Sequence, residues 1–136
     1  MSMKNFSDKE FGALGEKLAA VHLKKKHYKI LEKNYKIKGA ELDIVACNKE
    51  RLVFAEVKTR SADPYLRGMY AVDRRKQEHI LRAASAYMRE NKDKPEARLQ
   101  PRFDVIEIEI DRSTGKQVKL THFENAFMQT GDYARY

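Results

Sequence analysis

The feature that most constrains the fold is a short strand-like stretch, residues 53–60 (VFAEVKTR), which begins apolar and ends charged. Side chains of a strand alternate between the two faces of a sheet. One face of this stretch therefore changes from hydrocarbon to charge, carrying in order Leu52, Phe54, Glu56, Lys58 and Arg60. Such a strand must run from a buried core to a polar boundary, which is either a solvated sheet edge or the rim of a functional site.

Length and charge limit the class of protein. A chain of 136 residues, 42% hydrophobic and 35% charged, is long enough for one folded domain with a core. We expect a single domain over 1–136 with loose termini at 1–6 and 129–136. The 28 Lys and Arg residues exceed the 20 Asp and Glu residues, giving a net charge of +8. A basic surface of this kind favours nucleic acid or an anionic membrane as the partner.

The cysteine content and the N-terminal sequence indicate a compartment. A single cysteine, Cys47, excludes an internal disulfide and suits a reducing environment. The N-terminal residues MSMKNFSDKE lack the apolar stretch of a signal peptide, and no apolar run approaches membrane-spanning length. We therefore expect a cytoplasmic protein with no membrane contact.

Hydrophobic periodicity and turn residues predict the element order αβββαββ, an α/β domain around a mixed sheet flanked by helices. The first helix begins after a capping box, Ser7 with Glu10. Its expected apolar face carries Phe11, Leu14, Leu18 and Val21. The remaining predicted elements are strands at 28–37, 41–46 and 53–60, a helix capped by Asp73 that runs to about 91, and strands at 103–110 and 118–123. A loop is expected at 61–69.

Two further acidic residues are expected to lie near the charged end of the third strand. Strict alternation in the second strand places Leu42 and Ile44 on one side and Asp43, with Glu41, on the other. The hairpin between the second and third strands would bring Asp43 near Glu56. Paired carboxylates repel unless a cation joins them, and Mg²⁺ takes one or two carboxylates while keeping several waters.

The first helix offers an acidic side chain of its own. At about 100° per residue, Glu16 lies roughly 140° round the helix from Phe11. Its neighbours on that flank are small or apolar, so another element can approach closely there. The alternative is a solvated helical charge, and the sequence leaves both interpretations open.

These residues form a recognisable pattern. Asp43, followed after a hairpin by Glu56-Val57-Lys58, resembles the D…(D/E)xK motif of restriction-endonuclease-like (PD-(D/E)xK) metal-dependent nucleases. Over residues 11–127 the chain resembles the YraN family of small bacterial proteins, which is similar to archaeal Holliday junction resolvases. The blocks that carry the resemblance are GALGEKLAAVHL, NYKIKGAELDIVA, VFAEVKTR, AVDRRKQEHILRAASAYM, PRFDVIEIEI and HFENAF.

The resemblance implies a role for each residue of the pattern. Asp43 and Glu56 would be metal ligands together with the main-chain carbonyl of Val57. Lys58 would be the catalytic lysine, and Glu16 an acid contributed by the first helix. The expected metal is Mg²⁺, with Mn²⁺ as a substitute.

Two positions in the block GAELD qualify the resemblance. Glu41 would be an outer or alternate ligand, although a solvent-facing partner for a nearby lysine is the ordinary role of such a residue. Ala40 stands where many family members carry a second glycine, which removes none of the acids. For Glu56 and Lys58 themselves, the alternative is a cross-strand ion pair at a sheet edge.

Basic residues follow the acidic pattern along the chain and are candidates for phosphate contacts. The alternative for each is a solvated loop or helix start. Tyr65 and Tyr70 in the same region could stack on unpaired bases, or cover the core. The candidate nucleic-acid-binding residues are Arg60, Arg67, Arg74, Arg75 and Lys76.

Other polar residues are given structural roles. Asp104 lies on the isoleucine face of the fourth strand, where a pairing with an arginine, either Arg102 or one from the second helix, is expected. The four histidines show no ligand spacing with Cys47, so no zinc site is expected.

The sequence thus predicts a Mg²⁺-dependent endonuclease that cleaves branched or single-stranded DNA in repair or recombination. The similarity to junction resolvases implies a homodimer. The alternative is a nucleic-acid-binding module or adaptor that keeps the fold without cleaving, and an RNA partner is not excluded.

Overall fold

The computed structural model describes residues 6–62 and 73–127, which form a five-stranded sheet with one helix packed on each face. The predicted order αβββαββ is confirmed, and a short 3₁₀ helix, Pro95–Arg98, lies in the connector before the fourth strand. The elements are α1 (Asp8–Lys25), β1 (Lys29–Ile37), β2 (Ala40–Cys47), β3 (Arg51–Ser61), α2 (Arg74–Glu90), β4 (Gln100–Ile110) and β5 (Gln117–Phe127).

The sheet is mixed, as predicted, and its strand order follows the chain. Strands β1, β2 and β3 form an antiparallel meander, and β4 pairs antiparallel with β5. Strands β3 and β4 are parallel along their whole length. The reason is the connection between them, because a parallel pair needs a long crossover and α2 supplies it.

The termini and the predicted loop fall mainly outside the described residues. The residues outside the description are 1–5, 63–72 and 128–136. Tyr65, Arg67 and Tyr70 belong to the second of these ranges. The loop was predicted to start at Ser61, but Ser61 still belongs to β3. The amide of Ala62 also donates to the carbonyl of Ile110 at 3.0 Å. In the described parts of the chain, no helix is long and apolar enough to cross a membrane.

Helix α1 confirms its predicted cap but not its whole predicted face. The Ser7 hydroxyl accepts from the Glu10 amide at 3.2 Å, and the Glu10 carboxylate accepts from the Ser7 amide at 3.0 Å. Val21 was placed on the apolar face, which is wrong, because it is 42% exposed. Small residues face the sheet instead, and a side-chain carbon at Gly15 would overlap the hydroxyl of Thr59 on β3. Helix and strand therefore approach too closely for a larger residue.

The predicted alternation of β2 is also wrong, at the position that matters most. Leu42 packs in the core beneath α2, whereas Ile44, two residues on, packs in the core beneath α1. The side-chain direction therefore changes at Asp43. On β1, the residue that the register sets opposite Asp43 is Asn34, and its backbone is left-handed with φ of 54°. Asparagine tolerates this conformation better than most residues, and the local irregularity breaks the period of two.

A buried polar network anchors β4 to β5 on the α1 side. Asp104 is fully buried and accepts from Arg102 through Nε at 2.9 Å and Nη2 at 2.8 Å. It also accepts from the amide of Asn125 at 3.0 Å and lies 2.7 Å from Nε2 of His122. Arg102 donates in turn to the Tyr28 hydroxyl at 2.6 Å. The predicted pairing of Asp104 with Arg102 is confirmed, and each carboxylate oxygen has partners.

Burial alone would raise the pKa of Asp104, but the hydrogen bonds from His122, Arg102 and Asn125 outweigh it and hold that pKa below its usual range. The network therefore stabilises the fold above the pKa of an unfolded aspartate, and this contribution is lost as the pH falls through the lower folded value.

Asp104→Asn should lower the free energy of unfolding by roughly 3 kcal/mol, because it leaves the buried Arg102 guanidinium with only the half-exposed carboxylate of Glu124, 3.9 Å away, as a counter-charge. Urea unfolding at neutral pH measures the loss. Asp93→Asn, at an exposed position, is the control and should change stability by less than about 0.5 kcal/mol. Equal effects of the two substitutions would contradict the role given to the network.

Candidate functional site

The site begins where the ladder between β2 and β3 ends. The paired register runs from Cys47–Leu52 to Ile44–Ala55, and its continuation would set Asp43 opposite Glu56. Beyond Ile44 the side chain of Asp43 replaces the backbone as acceptor, taking a hydrogen bond from the Val57 amide at 2.8 Å. The predicted proximity of Asp43 to this part of β3 is therefore present, although through a break in the strand rather than through regular alternation.

Glu56 lies between two ammonium groups. Its side chain is only 6% exposed, and Oε1 is 3.5 Å from Nζ of Lys58 and 3.6 Å from Nζ of Lys76. Lys58 follows on the same face of β3, and Lys76 comes from the first turn of α2. The side chains of Leu52 and Phe54 pack in the core on this same side. The face that the sequence predicted to change from apolar to charged does so at Glu56.

The surroundings of the Asp43 carboxyl disfavour its ionised form. Burial first, and then the nearby Glu56 carboxylate, raise the pKa of Asp43 to about 8, and Glu16 adds to the rise. The hydrogen bond from the Val57 amide and the charge of Lys76 act in the opposite direction but do not cancel it. In the metal-free protein this carboxyl therefore holds a proton at neutral pH.

Helix α1 brings Glu16 to the same region from the other side of the sheet. Burial raises the pKa of Glu16, and the carboxylates of Glu41 and Glu56 raise it further. A hydrogen bond with the side chain of Asn34 and the charge of Lys33 oppose the rise. The close contact of α1 with β3 at the preceding residue, Gly15, explains how a helical side chain reaches this position.

Glu41 lies at the margin of this group. The register pairs it with Lys36 on β1, which is the ordinary role weighed for it from the sequence. Its charge also acts on Glu16. The structure therefore brings together Asp43, Glu56, Lys58 and Glu16, with Glu41 beside them.

The candidate phosphate-contacting residues divide into three groups. Lys76 contacts Glu56, and Arg60 forms an ion pair with Glu107 of β4 at 3.4 Å. Arg74 and Arg75 are exposed at the start of α2. Arg67 lies outside the described residues. Of the candidates that the structure describes, Arg74 and Arg75 are therefore the two whose exposure leaves them accessible to a phosphate, as the sequence-based prediction requires.

The donor set fits one kind of metal better than others. Within residues 6–62 and 73–127, no three His, Cys, Asp or Glu side chains stand close enough to hold an ion together. A closed structural zinc site is thus absent from that part of the chain. Two neighbouring carboxyl groups that repel when both are ionised instead suit Mg²⁺, which needs only one or two protein carboxylates and keeps its waters. Asp43 and Glu56 supply that pair.

One contributor to the site, Asn34, was missed from the sequence, and another, Lys76, was predicted only as a nucleic-acid contact. Asn34 sits opposite Asp43 in the register and hydrogen-bonds to Glu16, and Lys76 contacts Glu56 rather than only solvent. An asparagine inside an otherwise regular strand pattern was the available signal for the first, since Asn is depleted in strands and tolerates left-handed backbone. The second depends on how α2 crosses the sheet, which no local pattern specifies.

Comparison with known families identifies relatives of this chain. The family model described as uncharacterised protein family UPF0102 matches residues 15–108. The UPF0102 protein TTE1452 of Caldanaerobacter subterraneus subsp. tengcongensis is 42% identical, over 92% of this chain and all of that protein. UPF0102 proteins of Alkaliphilus oremlandii and Syntrophotalea carbinolica are 41% and 43% identical, over 88% and 85% of this chain and 99% and 89% of theirs.

Among solved structures, that of Pyrococcus furiosus SfsA in complex with Ca²⁺ aligns with 85% of this chain at 15% identity and a TM-score of 0.31. The alignment covers 61% of the SfsA chain. A similarity of this size carries no argument about fold or activity.

Without divalent cations, the free energy of unfolding should fall as the pH rises from about 5 to about 8 because of Asp43. An unfolded aspartate loses its proton near pH 4, whereas the folded protein keeps it to about pH 8. The folded state therefore binds more protons in this window, and stability decreases with rising pH. Asp43→Asn preserves an acceptor for the Val57 amide and removes this titration.

Urea unfolding of both proteins in EDTA measures the effect. Relative to wild type, the variant should gain roughly 3–4 kcal/mol between pH 5 and pH 8, since the folded wild type holds nearly one extra proton over most of this range and each pH unit then corresponds to about 1.4 kcal/mol. Titrating groups that do not interact with Asp43 are common to the two proteins and cancel in the difference, whereas Glu56 and Glu16 respond to the substitution as part of the same effect. A difference in unfolding free energy between the two proteins that stays constant with pH would show that the pKa of Asp43 is not raised.

Proposed function

This chain belongs to the uncharacterised protein family UPF0102, and we propose that it is a metal-dependent nuclease with a restriction-endonuclease-like core. Its substrate is DNA, in branched or single-stranded form, and its physiological setting is repair or recombination. The observation that carries the proposal is the convergence of Asp43, Glu56 and Lys58 at the point where the β2–β3 ladder opens.

Asp43 and Glu56 would hold the metal, with the main-chain carbonyl of Val57 as a further ligand. A bound Mg²⁺, or Mn²⁺ in its place, would supply an activated water and positive charge at the phosphate. The Val57 amide fixes the Asp43 carboxylate by its hydrogen bond, so that this ligand is oriented before any cation arrives. Orienting ligands in advance lowers the cost of binding.

Lys58 is proposed as the catalytic lysine. Its ammonium group lies 3.5 Å from the Glu56 carboxylate and its side chain is 18% exposed, so it is held at the site yet accessible to a substrate. A fixed positive charge at this position stabilises the negative charge that develops on a phosphate under attack. Glu16, on the opposite side of the opening, supplies the acid from α1, and Glu41 is an outer or alternate ligand.

The charge distribution supports a nucleic-acid substrate. The chain carries a net charge of +8 although its candidate site is acidic, so the excess positive charge lies elsewhere and attracts phosphates. Arg74 and Arg75 are exposed at the start of α2, next to Lys76, which contacts Glu56. In this proposal these residues would meet phosphates near the site, and those of RNA would meet them equally well. A homodimer, as the resemblance to junction resolvases implies, belongs to the same proposal.

The alternative is a binding module or adaptor on the same fold that does not cleave. The net charge of +8 and the exposed Arg74 and Arg75 favour it, because they support binding of nucleic acid whether or not the fold cleaves it. A module of this kind would bind nucleic acid with a steep salt dependence and no requirement for metal. An enzyme would give product only with metal.

Lys58→Met should abolish Mg²⁺-dependent cleavage while leaving DNA binding nearly intact. Removing one electrostatic group aimed at developing charge typically costs about 10²–10³ in rate. Cleavage of labelled branched, flapped and single-stranded DNA, with binding measured in parallel in EDTA, separates the two effects. Lys92→Met, at an exposed position beyond α2, is the matched control and should cleave as wild type does.

Two results would contradict the proposal. One is equal cleavage by wild type and Lys58→Met, which would mark the activity as a contaminant or place it elsewhere. The other is binding without product from any of these substrates in either Mg²⁺ or Mn²⁺, which would favour the module.

A further inference from the structure

The carboxylate that is proposed to bind the metal already has two cations of the protein beside it. Oε1 of Glu56 lies 3.5 Å from Nζ of Lys58 and 3.6 Å from Nζ of Lys76. The Glu56 side chain is almost fully buried, so solvent ions screen these two pairs less than they screen pairs on an open surface. A divalent cation and two ammonium groups therefore compete for one carboxylate.

The two lysines differ in their freedom to leave Glu56. The side chain of Lys58, on β3, is 18% exposed, whereas that of Lys76 is 42% exposed. The backbone of Lys76 is fixed in the first turn of α2, where its amide donates to the capping carboxylate of Asp73 at 2.8 Å. An ammonium group on a flexible four-carbon stem can turn towards solvent from a fixed backbone. Lys76 is thus the lysine that can leave without a change in the helix.

Lys76 would oppose a metal for as long as it stayed in place. A divalent cation on Glu56 would stand within a few ångströms of the ammonium group, and like charges at such a separation repel. The charge of Lys76 also acts on Asp43, the other proposed ligand, whose pKa it lowers against the larger effects of burial and Glu56. In the metal-free protein, Lys76 therefore supplies part of the positive charge that a metal would bring.

A nucleic-acid phosphate would offer Lys76 a second partner. Arg74 and Arg75 precede it in the same turn of α2 and are exposed, so a phosphate that contacts either of them lies near Lys76. Lysine forms short charge-assisted hydrogen bonds with phosphate oxygens. If Lys76 turned from Glu56 to such a phosphate, the carboxylate would be left to the metal.

We propose that Lys76 is a positioning residue that pairs with Glu56 until nucleic acid arrives, and that its transfer to a phosphate makes the binding of metal and of DNA mutually cooperative. The proposal rests on the proposed nuclease function and adds its regulation, because the site then binds metal tightly only with substrate present. Such coupling is reciprocal: DNA raises the affinity for metal by the same factor by which metal raises the affinity for DNA.

The test compares wild type with three variants. Lys76→Gln removes the charge, and Lys76→Arg keeps it. Lys92→Gln removes the same charge at an exposed position beyond α2. The partial exposure of Lys76 means that the fold should tolerate its substitution, which urea unfolding of each variant checks.

Two affinities are measured for each protein at neutral pH. Calorimetric titration gives the affinity for Mn²⁺ without DNA. The affinity for a labelled branched DNA is measured in EDTA and again in saturating Ca²⁺, a hard cation that also binds carboxylate oxygens. The ratio of the two DNA affinities is the coupling between metal and DNA.

Lys76→Gln should bind Mn²⁺ roughly twofold to fivefold more tightly than wild type, which is the size of the effect of one partly exposed charge pair. Lys76 also opposes the proton that the metal displaces from Asp43, but a divalent cation carries twice the charge of a proton, so the metal gains in the exchange. The coupling should be smaller in Lys76→Gln than in wild type by a similar factor. Lys76→Arg and Lys92→Gln should stay close to wild type in both measurements.

Three results would overturn the role of Lys76. The first is equal affinity of wild type and Lys76→Gln for Mn²⁺. The second is the same gain in Lys92→Gln, because net charge alone would then account for it. The third is a coupling between metal and DNA that Lys76→Gln leaves unchanged.

The same proteins separate this proposal from the nuclease itself. Mg²⁺-dependent cleavage by wild type, with an affinity for Mn²⁺ that does not depend on Lys76, would overturn the role of Lys76 and leave the nuclease. Coupling that depends on Lys76, without cleavage by wild type, would overturn the nuclease and leave a binding module regulated by metal. Absence of metal binding by wild type would overturn both.

Discussion

The hydrogen bond from the Val57 amide to the Asp43 carboxylate joins the fold to the candidate site. It lies where β2 stops pairing with β3, and it satisfies an amide that the missing strand partner would leave open. A buried N–H without an acceptor is costly, so the acid at this position stabilises the break in the sheet. The same bond fixes the carboxylate beside Glu56. The orientation of the Asp43 carboxyl and its position beside Glu56 therefore depend on this one contact.

Two aspartates of this protein, Asp104 and Asp43, lie in surroundings that shift their pKa values in opposite directions. Asp104 has a bidentate arginine, a histidine and an amide around its carboxylate, and its pKa is lowered despite full burial. Asp43 accepts a hydrogen bond from one amide, and its burial first, and then the carboxylates of Glu56 and Glu16, raise its pKa. In the first arrangement both oxygens of the Asp104 carboxylate have hydrogen-bond partners and its charge is balanced by Arg102, so it needs no ligand. In the second arrangement the charge of Lys76 does not cancel the rise in pKa, and a divalent cation would supply further positive charge. Carboxyl groups with pKa values raised in this way concentrate at functional sites.

Most of the fold and half of the site geometry follow from the sequence. Capping residues Ser7 and Asp73 marked both helix starts, and the alternation from Leu52 to Arg60 correctly gave the faces of β3. The failures arise from tertiary contacts. Val21 was misplaced because a close approach at Gly15, rather than hydrophobic periodicity, sets the buried side of α1. The direction of Asp43 was misjudged because a left-handed Asn34 on a different strand breaks the period of β2.

The central claim is that Asp43 and Glu56 together bind a divalent cation, and calorimetric titration of Mg²⁺ and Mn²⁺ tests it most directly. The wild-type protein should release or absorb heat with a saturating isotherm, and Asp43→Ala and Glu56→Ala should each lose it. Asp93→Ala, an exposed carboxylate outside the site, should behave as wild type does. No saturable binding by the wild-type protein at millimolar metal, even with DNA present, would contradict the account and leave a nucleic-acid-binding module as the function of this fold.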